Sequence, residues 1–518
     1  MKKLVSAVIF LFSAAVGFSQ FPNITISIAD YPNEPTIAVS HVSPGIIAAG
    51  ANNDKYYYSS DFGWSWTQDT LTSPYGVAGD PCLVTDTSGN FYYLHLSYPH
   101  QGSWLDRIVC QKSTDHGHTW NDGSYMGLNG SKQQDKPWSA VDPVTNCIYT
   151  CWTQFDLYGS TSPNDSSIIL FSRSADNGLS WGIPLRINKI AGDCRDSDNT
   201  VEGAVPAPGP NGEVYVSWAG PAGLVFTKSM DQGLTWPANN ISVTDIPGGW
   251  DFNIPGIFRC NGMPVTCCDL SNGPYHGTIY INWTDQRNGQ YDTDVFLVKS
   301  TDGGISWTTP QRVNDDPPGK HQFFSWMTID QATGYLYIIF YDRRNYSDLR
   351  TDVYMAVSHD GGNSFQNMKV SESPFLPDAS VFFGDYTNIS AWNNMVRPIW
   401  CRLDGSNLSI VTAIVDSANL LRTPEKDPVL PISLRQNYPN PATNFTNISF
   451  KLNRPATVSL VVFDLFGSPV SILIELKSLP AGEFEERFDL SKALLQPGLY
   501  FYRLVTDENA VSLKMIVN

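Results

Sequence analysis

The 518-residue chain is short of basic charge. Lys and Arg number 33 against 50 Asp and Glu, the formal net charge is −17, and no basic run occurs. Binding to nucleic acid rests on neutralising phosphates with clustered Lys and Arg, so nucleic acid is excluded as an expected partner. Long apolar runs are missing after the first residues, so no transmembrane segment is expected. No Cys-x-x-Cys pair with metal spacing occurs, and neither a metal nor a cofactor is expected. The nine Cys between Cys82 and Cys401 are an odd number, and the adjacent Cys267 and Cys268 cannot easily pair with each other. Most are read as small buried apolar side chains.

Lys2 and Lys3, the apolar run Leu4 to Val16, and the small residues Gly17 and Ser19 read as a secretory signal over residues 1–19, cut after Ser19. No Cys stands at the cut, which argues against a lipid anchor. The length that remains exceeds one ordinary domain.

Six copies of one turn motif, Ser-x-Asp-x-Gly-x-(Ser/Thr)-aromatic, dominate what is present. Their aspartates are Asp61, Asp115, Asp176, Asp231, Asp302 and Asp360, with gaps of 54, 61, 55, 71 and 58 residues. A repeat of that period marks an array of similar units, each too small to bury a core alone. Asp can accept bonds from backbone N–H groups two residues on, Gly supplies a positive φ, and the closing aromatic can pack between sheets. The motif resembles the Asp-box, or BNR, repeat of sialidases and related β-propellers. The resemblance covers residues 30–415 and implies an all-β propeller in which the boxes are scaffold.

Apolar strands precede each box, as in Pro81 to Val84 followed by Phe91 to Leu94. Short strands punctuated by Gly, Asn and Asp predict four-stranded antiparallel blades. Inner strands beginning near Glu34, Asp80, Asp135, Glu202, Gly262, Phe324 and Asp385 predict seven blades, with six as the alternative. The seventh unit lacks a box and a fourth strand. Asn23 to Ile28 is expected to supply that strand and close the ring, which removes sheet edges. The propeller is assigned to residues 20–415.

Residues 416–433, with Pro424, Pro428 and Pro431, form a linker. Residues 434–518 are Cys-free and predict a small β-sandwich. Gln436-Asn437-Tyr438-Pro439-Asn440-Pro441, Val462-Phe463-Asp464, Gly498 to Leu504 and Lys514-Met515 resemble the C-terminal sorting domain of the type IX secretion system of Bacteroidetes-like bacteria. That resemblance implies the type IX machinery as a partner and a secreted or cell-surface location.

Chemistry in a propeller is expected where loops meet one mouth of the central channel. Five inner strands begin with an acid: Glu34, Asp80, Asp135, Glu202 and Asp385. Crowded carboxylates repel, which raises some pKa values and suits acid–base work; repeated turn chemistry would place the same residue types there. Arg287 and Arg344 follow Asp285 and Asp342 in equivalent loops. They suit either a carboxylate-bearing ligand or internal ion pairs. The segment Asp196 to Asn199 hints at calcium but lacks the rest of a recognised loop, so a solvated loop is expected.

The sialidase resemblance implies a retaining glycoside hydrolase acting on acidic glycans or glycoconjugates. Tyr386 would attack with help from Glu202, and Asp80 or Asp135 would protonate the leaving group. Arg287, Arg344 and Arg402 would hold the substrate carboxylate. The chain departs from that pattern: Arg-Ile-Pro is absent, no Arg precedes Arg107, and Arg186-Ile187 is followed by Asn188. A non-catalytic surface propeller that binds glycan or protein is the first alternative, and a polysaccharide lyase with His321 as base is the second.

Overall fold

A computed structural model of the protein describes residues 21–416, 432–464, 469–493, 495–506 and 510–518. The expected signal at 1–19 and most of the expected linker lie outside the described residues. The chain divides at 420/421 into two compact units.

The first unit is built from antiparallel sheets in which each strand pairs with the next in sequence. The first sheet runs Thr36–Val39, Ile47–Ala51, Lys55–Ser59 and Thr67–Thr70. Five further four-stranded sheets follow, beginning with Cys82–Thr85, Gln133–Val141, Glu202–Pro208, Val265–Cys268 and Gln322–Asp330. The seventh contains Asn388–Trp392, Met395–Asp404 and Asn407–Ala413. Its outer strand is Asn23–Ser27, with Asn23 opposite Ala413 and Thr25 opposite Val411. The expected closing segment therefore sits beside a strand almost four hundred positions away in the chain.

The seven leading strands form a closed series. Each lies against the next, and Asn388–Trp392 returns to Thr36–Val39. Hydroxyls stitch neighbours together: Thr36 Oγ1 accepts from Leu83 N at 3.0 Å, and Ser390 Oγ accepts from Val39 N at 3.0 Å. Second strands such as Phe91–Leu96 and Ile148–Phe155 are buried along their whole length, because both faces of each sheet are covered. Trp152, Trp218, Trp283 and Trp400 lie fully buried in second strands of four different sheets.

The six repeated turns share one hydrogen-bond pattern. In the fifth, Ser300 Oγ donates to Asp302 Oδ1 at 2.7 Å, Ser306 N donates to the same oxygen at 3.0 Å, and Gly304 N donates to Ser300 Oγ at 2.8 Å. The closing indoles lean on the preceding sheet. Trp120 meets Tyr56 at 5.8 Å, Trp236 meets Phe171 at 4.9 Å and Trp307 meets Phe226 at 5.0 Å. All nine Cys are free, eight of them buried and Cys267 half-buried.

The second unit packs a three-stranded sheet, Ile432–Leu434, Phe445–Leu452 and Gly482–Asp489, with a four-stranded one, Pro469–Leu479, Ala456–Phe463, Gly498–Thr506 and Ala510–Val517. Ile448, Phe450, Val458, Leu460, Tyr502 and Leu504 are among its core side chains. Tyr502 Oη accepts from Asn437 N at 2.8 Å and donates to Arg435 O at 2.8 Å, which ties the opening segment onto the sandwich. No helix among the described residues is long and apolar enough to cross a membrane.

Candidate functional site

The leading strands begin at one mouth, and three residues at or near their starts have unusual backbones. Glu34, Asp80 and Lys136 hold φ of 51°, 48° and 49°, and each precedes a proline. Proline disfavours the right-handed helical region for the residue before it, and a positive φ strains a residue that carries a Cβ. A third sheet built to the same plan thus puts Lys136, not Asp135, in the place that Glu34 and Asp80 occupy. Asp135 stands one position earlier, opposite Thr153, above a bulge that precedes Trp138. Glu202 has the same register in the fourth sheet, opposite Ala219 above a bulge.

Around Lys136 these side chains form one buried network. Lys136 Nζ lies 2.9 Å from Asp385 Oδ2 and 3.7 Å from Asp80 Oδ2. Arg259 Nε donates to Asp385 Oδ1 at 2.7 Å, its Nη2 bonds Asp385 Oδ2, and its Nη1 donates to Asp196 Oδ2 at 2.9 Å. Tyr158 Oη donates to the same Asp196 oxygen at 2.7 Å. Asn52 bonds Glu34 through Nδ2 and accepts from Asp80 N at 2.7 Å. Asn261 Nδ2 donates to the Asp385 carbonyl at 2.8 Å. Lys136 and Arg259 escaped the sequence reading; the Lys-Pro dipeptide in register with Glu-Pro and Asp-Pro was the signal for the first, whereas nothing local marked the second.

The network drives its carboxyls apart. Burial is the largest influence on Asp385 and would raise its pKa, but Lys136 and Arg259 outweigh it and hold the group down at about 2. Glu202 is fully buried, and neither carboxyl oxygen has a hydrogen-bond partner. Burial, then Asp196, pushes its pKa well up against the pull of Lys136. Glu34 rises through burial, Asp80 and Asp385. Asp135 rises through burial and Asp80 although Lys136 opposes. Burial would lower the Lys136 ammonium, yet Asp385, Asp80, Asp135 and Glu34 together lift it well above its ordinary value.

Tyr386 lies beneath this cluster. Its ring packs against Trp138 at 4.8 Å and Trp326 at 6.2 Å, and its Oη donates to Asp80 Oδ1 at 3.5 Å. Glu202 makes no hydrogen bond to it, so the expected Tyr386–Glu202 pair is not formed; burial, then Asp80, pushes the phenol well up instead. Trp138 and Trp326 also line a central channel of about 520 Å³ along the leading strands.

The arginines offered as holders of a substrate carboxylate are ion-paired within the chain, the alternative open for Arg287 and Arg344. Arg287 is paired with Asp285 at 2.5 Å, Arg344 with Asp342 at 2.7 Å and Arg402 with Asp404 at 2.6 Å. Each lies two residues from its carboxylate, and Arg344 also pairs with Asp315. Asp198 accepts from Asp251 N at 2.8 Å while Asp196 faces Arg259 and Tyr158, so the Asp196–Asn199 carboxylates serve different partners. His321 is buried, shares a hydrogen bond with Thr293 Oγ1 at 3.1 Å, and is lowered to about 4 by burial and Arg343.

The protein is thus an all-β chain whose first unit carries a buried acid–base cluster at one mouth. Its C-terminal unit is a secretion system C-terminal sorting domain, matched over residues 436–518. That domain directs export by type IX secretion to the cell surface or the extracellular space. No curated protein matches the chain. Among solved structures the chain is similar to the Hadza microbial sialidase Hz136, at 16% identity over 71% of this chain and 73% of that one, TM-score 0.41. It is similar to a PL25 polysaccharide lyase, an ulvan lyase, at 12% identity over 76% and 96%, TM-score 0.47. It is also similar to the α-L-arabinanase of Penicillium chrysogenum, at 15% identity over 65% and 98%, TM-score 0.40.

Proposed function

We propose that the first unit is a seven-bladed, Asp-box β-propeller that cleaves glycosidic bonds. Glu202 is the proton donor and Asp385 the ionised partner. One observation carries this reading: a carboxyl with no partner and a raised pKa shares a mouth with a carboxylate held ionised by Lys136 and Arg259. Environments that push two acids apart assign the acid and the base. The Glu202 proton passes to the glycosidic oxygen as its bond to the anomeric carbon breaks. The Asp385 carboxylate faces the positive charge that develops, and water adds its hydroxyl to the anomeric carbon while its proton restores the pair. Asp80 and Asp135 tune the cluster, and Tyr386 supports it from below.

The electrostatics favour a neutral glycan over the acidic one that the sialidase resemblance implies. Arg287, Arg344 and Arg402 are already neutralised. Arg259, the cluster's solvent-facing cation with its side chain 37% exposed, is shared by Asp385 and Asp196. Lys136 and Arg259 are both bonded to Asp385, so neither cation is set aside for a substrate carboxylate. A second reading, a non-catalytic surface ring that binds glycan, is favoured by the burial of both acids, since Glu202 is 0% and Asp385 2% exposed.

Hydrolysis of fluorogenic arabinosides, glucosides and sialosides by the wild-type chain, Glu202→Gln and Asp385→Asn tests both. Turnover of a neutral glycoside that each substitution reduces by about 10²–10⁴-fold supports the proposal. Turnover confined to sialosides restores the acidic substrate. A folded chain that binds glycans and cleaves none is the second reading.

A further inference from the structure

Exposed aromatic rings continue the acid cluster outward on two sides. Trp104, 45% exposed, lies in the loop between Phe91–Leu96 and Ile108–Ser113. It meets Tyr158 edge-on at 6.1 Å and 86°. Tyr158 donates to Asp196, and Asp196 accepts from Arg259. The Arg259 guanidinium lies 5.2 Å from the Phe382 ring centroid, and Phe382 meets Phe258, 54% exposed, at 5.9 Å and 82°. Aromatic pair, carboxylate, guanidinium and aromatic pair thus form one continuous row, with Asp385 bonded to its guanidinium.

A sugar ring has an apolar C–H face and a rim of hydroxyls. Aromatic faces suit the first, and a fixed carboxylate and guanidinium suit the second. A nucleobase would stack as well, but the row's guanidinium is already shared by Asp385 and Asp196, and the phosphates that accompany a base need clustered cations.

We propose that this row is a cleft for an extended neutral polysaccharide. Trp104 and Tyr158 take sugar faces on one side of the Asp196–Arg259 pair, and Phe382 and Phe258 take them on the other. The inference rests on the glycan reading above and deepens it: the preferred ligand is a chain that passes over the acid cluster, not a terminal sugar alone.

Affinity electrophoresis of the wild-type chain, Trp104→Ala, Phe258→Ala and Trp64→Ala in gels containing arabinan, xylan or alginate tests it. Hydrolysis of the small fluorogenic glycosides is measured alongside. Trp64 is 52% exposed in the first repeated turn, at the opposite mouth, and serves as the control. The cleft requires retardation by a neutral polymer that weakens about tenfold in Trp104→Ala and Phe258→Ala and stays unchanged in Trp64→Ala. Unchanged retardation in both cleft variants, with small glycosides still cleaved, overturns the cleft and leaves the catalytic reading standing. Retardation by alginate alone overturns the neutral ligand. Neither retardation nor cleavage overturns both readings.

Discussion

Lys136 Nζ and Asp385 Oδ2 stand 2.9 Å apart although 249 positions separate them in the chain. Their side chains are 4% and 2% exposed. Removing one partner of such a pair leaves the other charge buried without compensation. Asp385→Asn is expected to cost about 3–5 kcal/mol of stability in chemical denaturation. Lys136→Met with Asp385→Asn is expected to recover part of that loss. Additive losses in the double variant would show that the two groups do not act as a pair.

Glu202 carries the opposite signature. Its pKa is raised in the folded chain, so the folded state holds a proton that the unfolded state releases. The stability linked to this group is complete below the unfolded pKa, about 4.3, and is lost as pH rises toward the raised folded value. Glu202→Gln mimics the protonated form. It is expected to raise the melting temperature at pH 8 and to leave it nearly unchanged at pH 4. An equal shift at both pH values would remove ionisation as the cause.

At Gly233 and Gly304, in two of the repeated turns, a Cβ would run into a Phe ring of the preceding sheet. Gly304 sits at φ +82°, and a Cβ there would stand 2.3 Å from Phe226 of the preceding sheet. Gly304→Ala is expected to destabilise the first unit by about 2 kcal/mol. Gly130, also at positive φ but with open space around it, should cost less under the same substitution. Urea midpoints of the two variants make the comparison.

The thiols give a test that needs no substitution. Eight of the nine Cys are buried and Cys267 is half-buried, with its Sγ donating to Met327 O. Ellman titration of the native chain is expected to find no more than that one thiol, and denaturant should release nine. A smaller denatured total would reveal disulfides.

By itself, the sequence determined what depends on local chemistry. Six copies of Ser-x-Asp-x-Gly specify six turns because each Asp bonds groups within four residues, as in Asp302 with Ser300 and Ser306. Apolar strands such as Phe91–Leu96 mark the sheets, and the tail from Gln436 marks the sorting domain. The crowd of acids at the strand starts was legible too, because it recurs with the repeat. Tertiary structure alone decided which of them act together. Arg259 reaches Asp385 across 126 positions, and Lys136 replaces a carboxylate through a one-residue shift above a bulge. Arg287 and Arg344 suited either a ligand or an internal ion pair in the sequence; the fold gives both, and Arg402, to carboxylates two residues away. Glu202, unlike Asp80 and Asp135, has no hydrogen-bond partner on either carboxyl oxygen. A pKa depends on burial and on the charges that the closed ring of sheets brings within a few ångströms, and neither is a property of neighbouring residues in the chain.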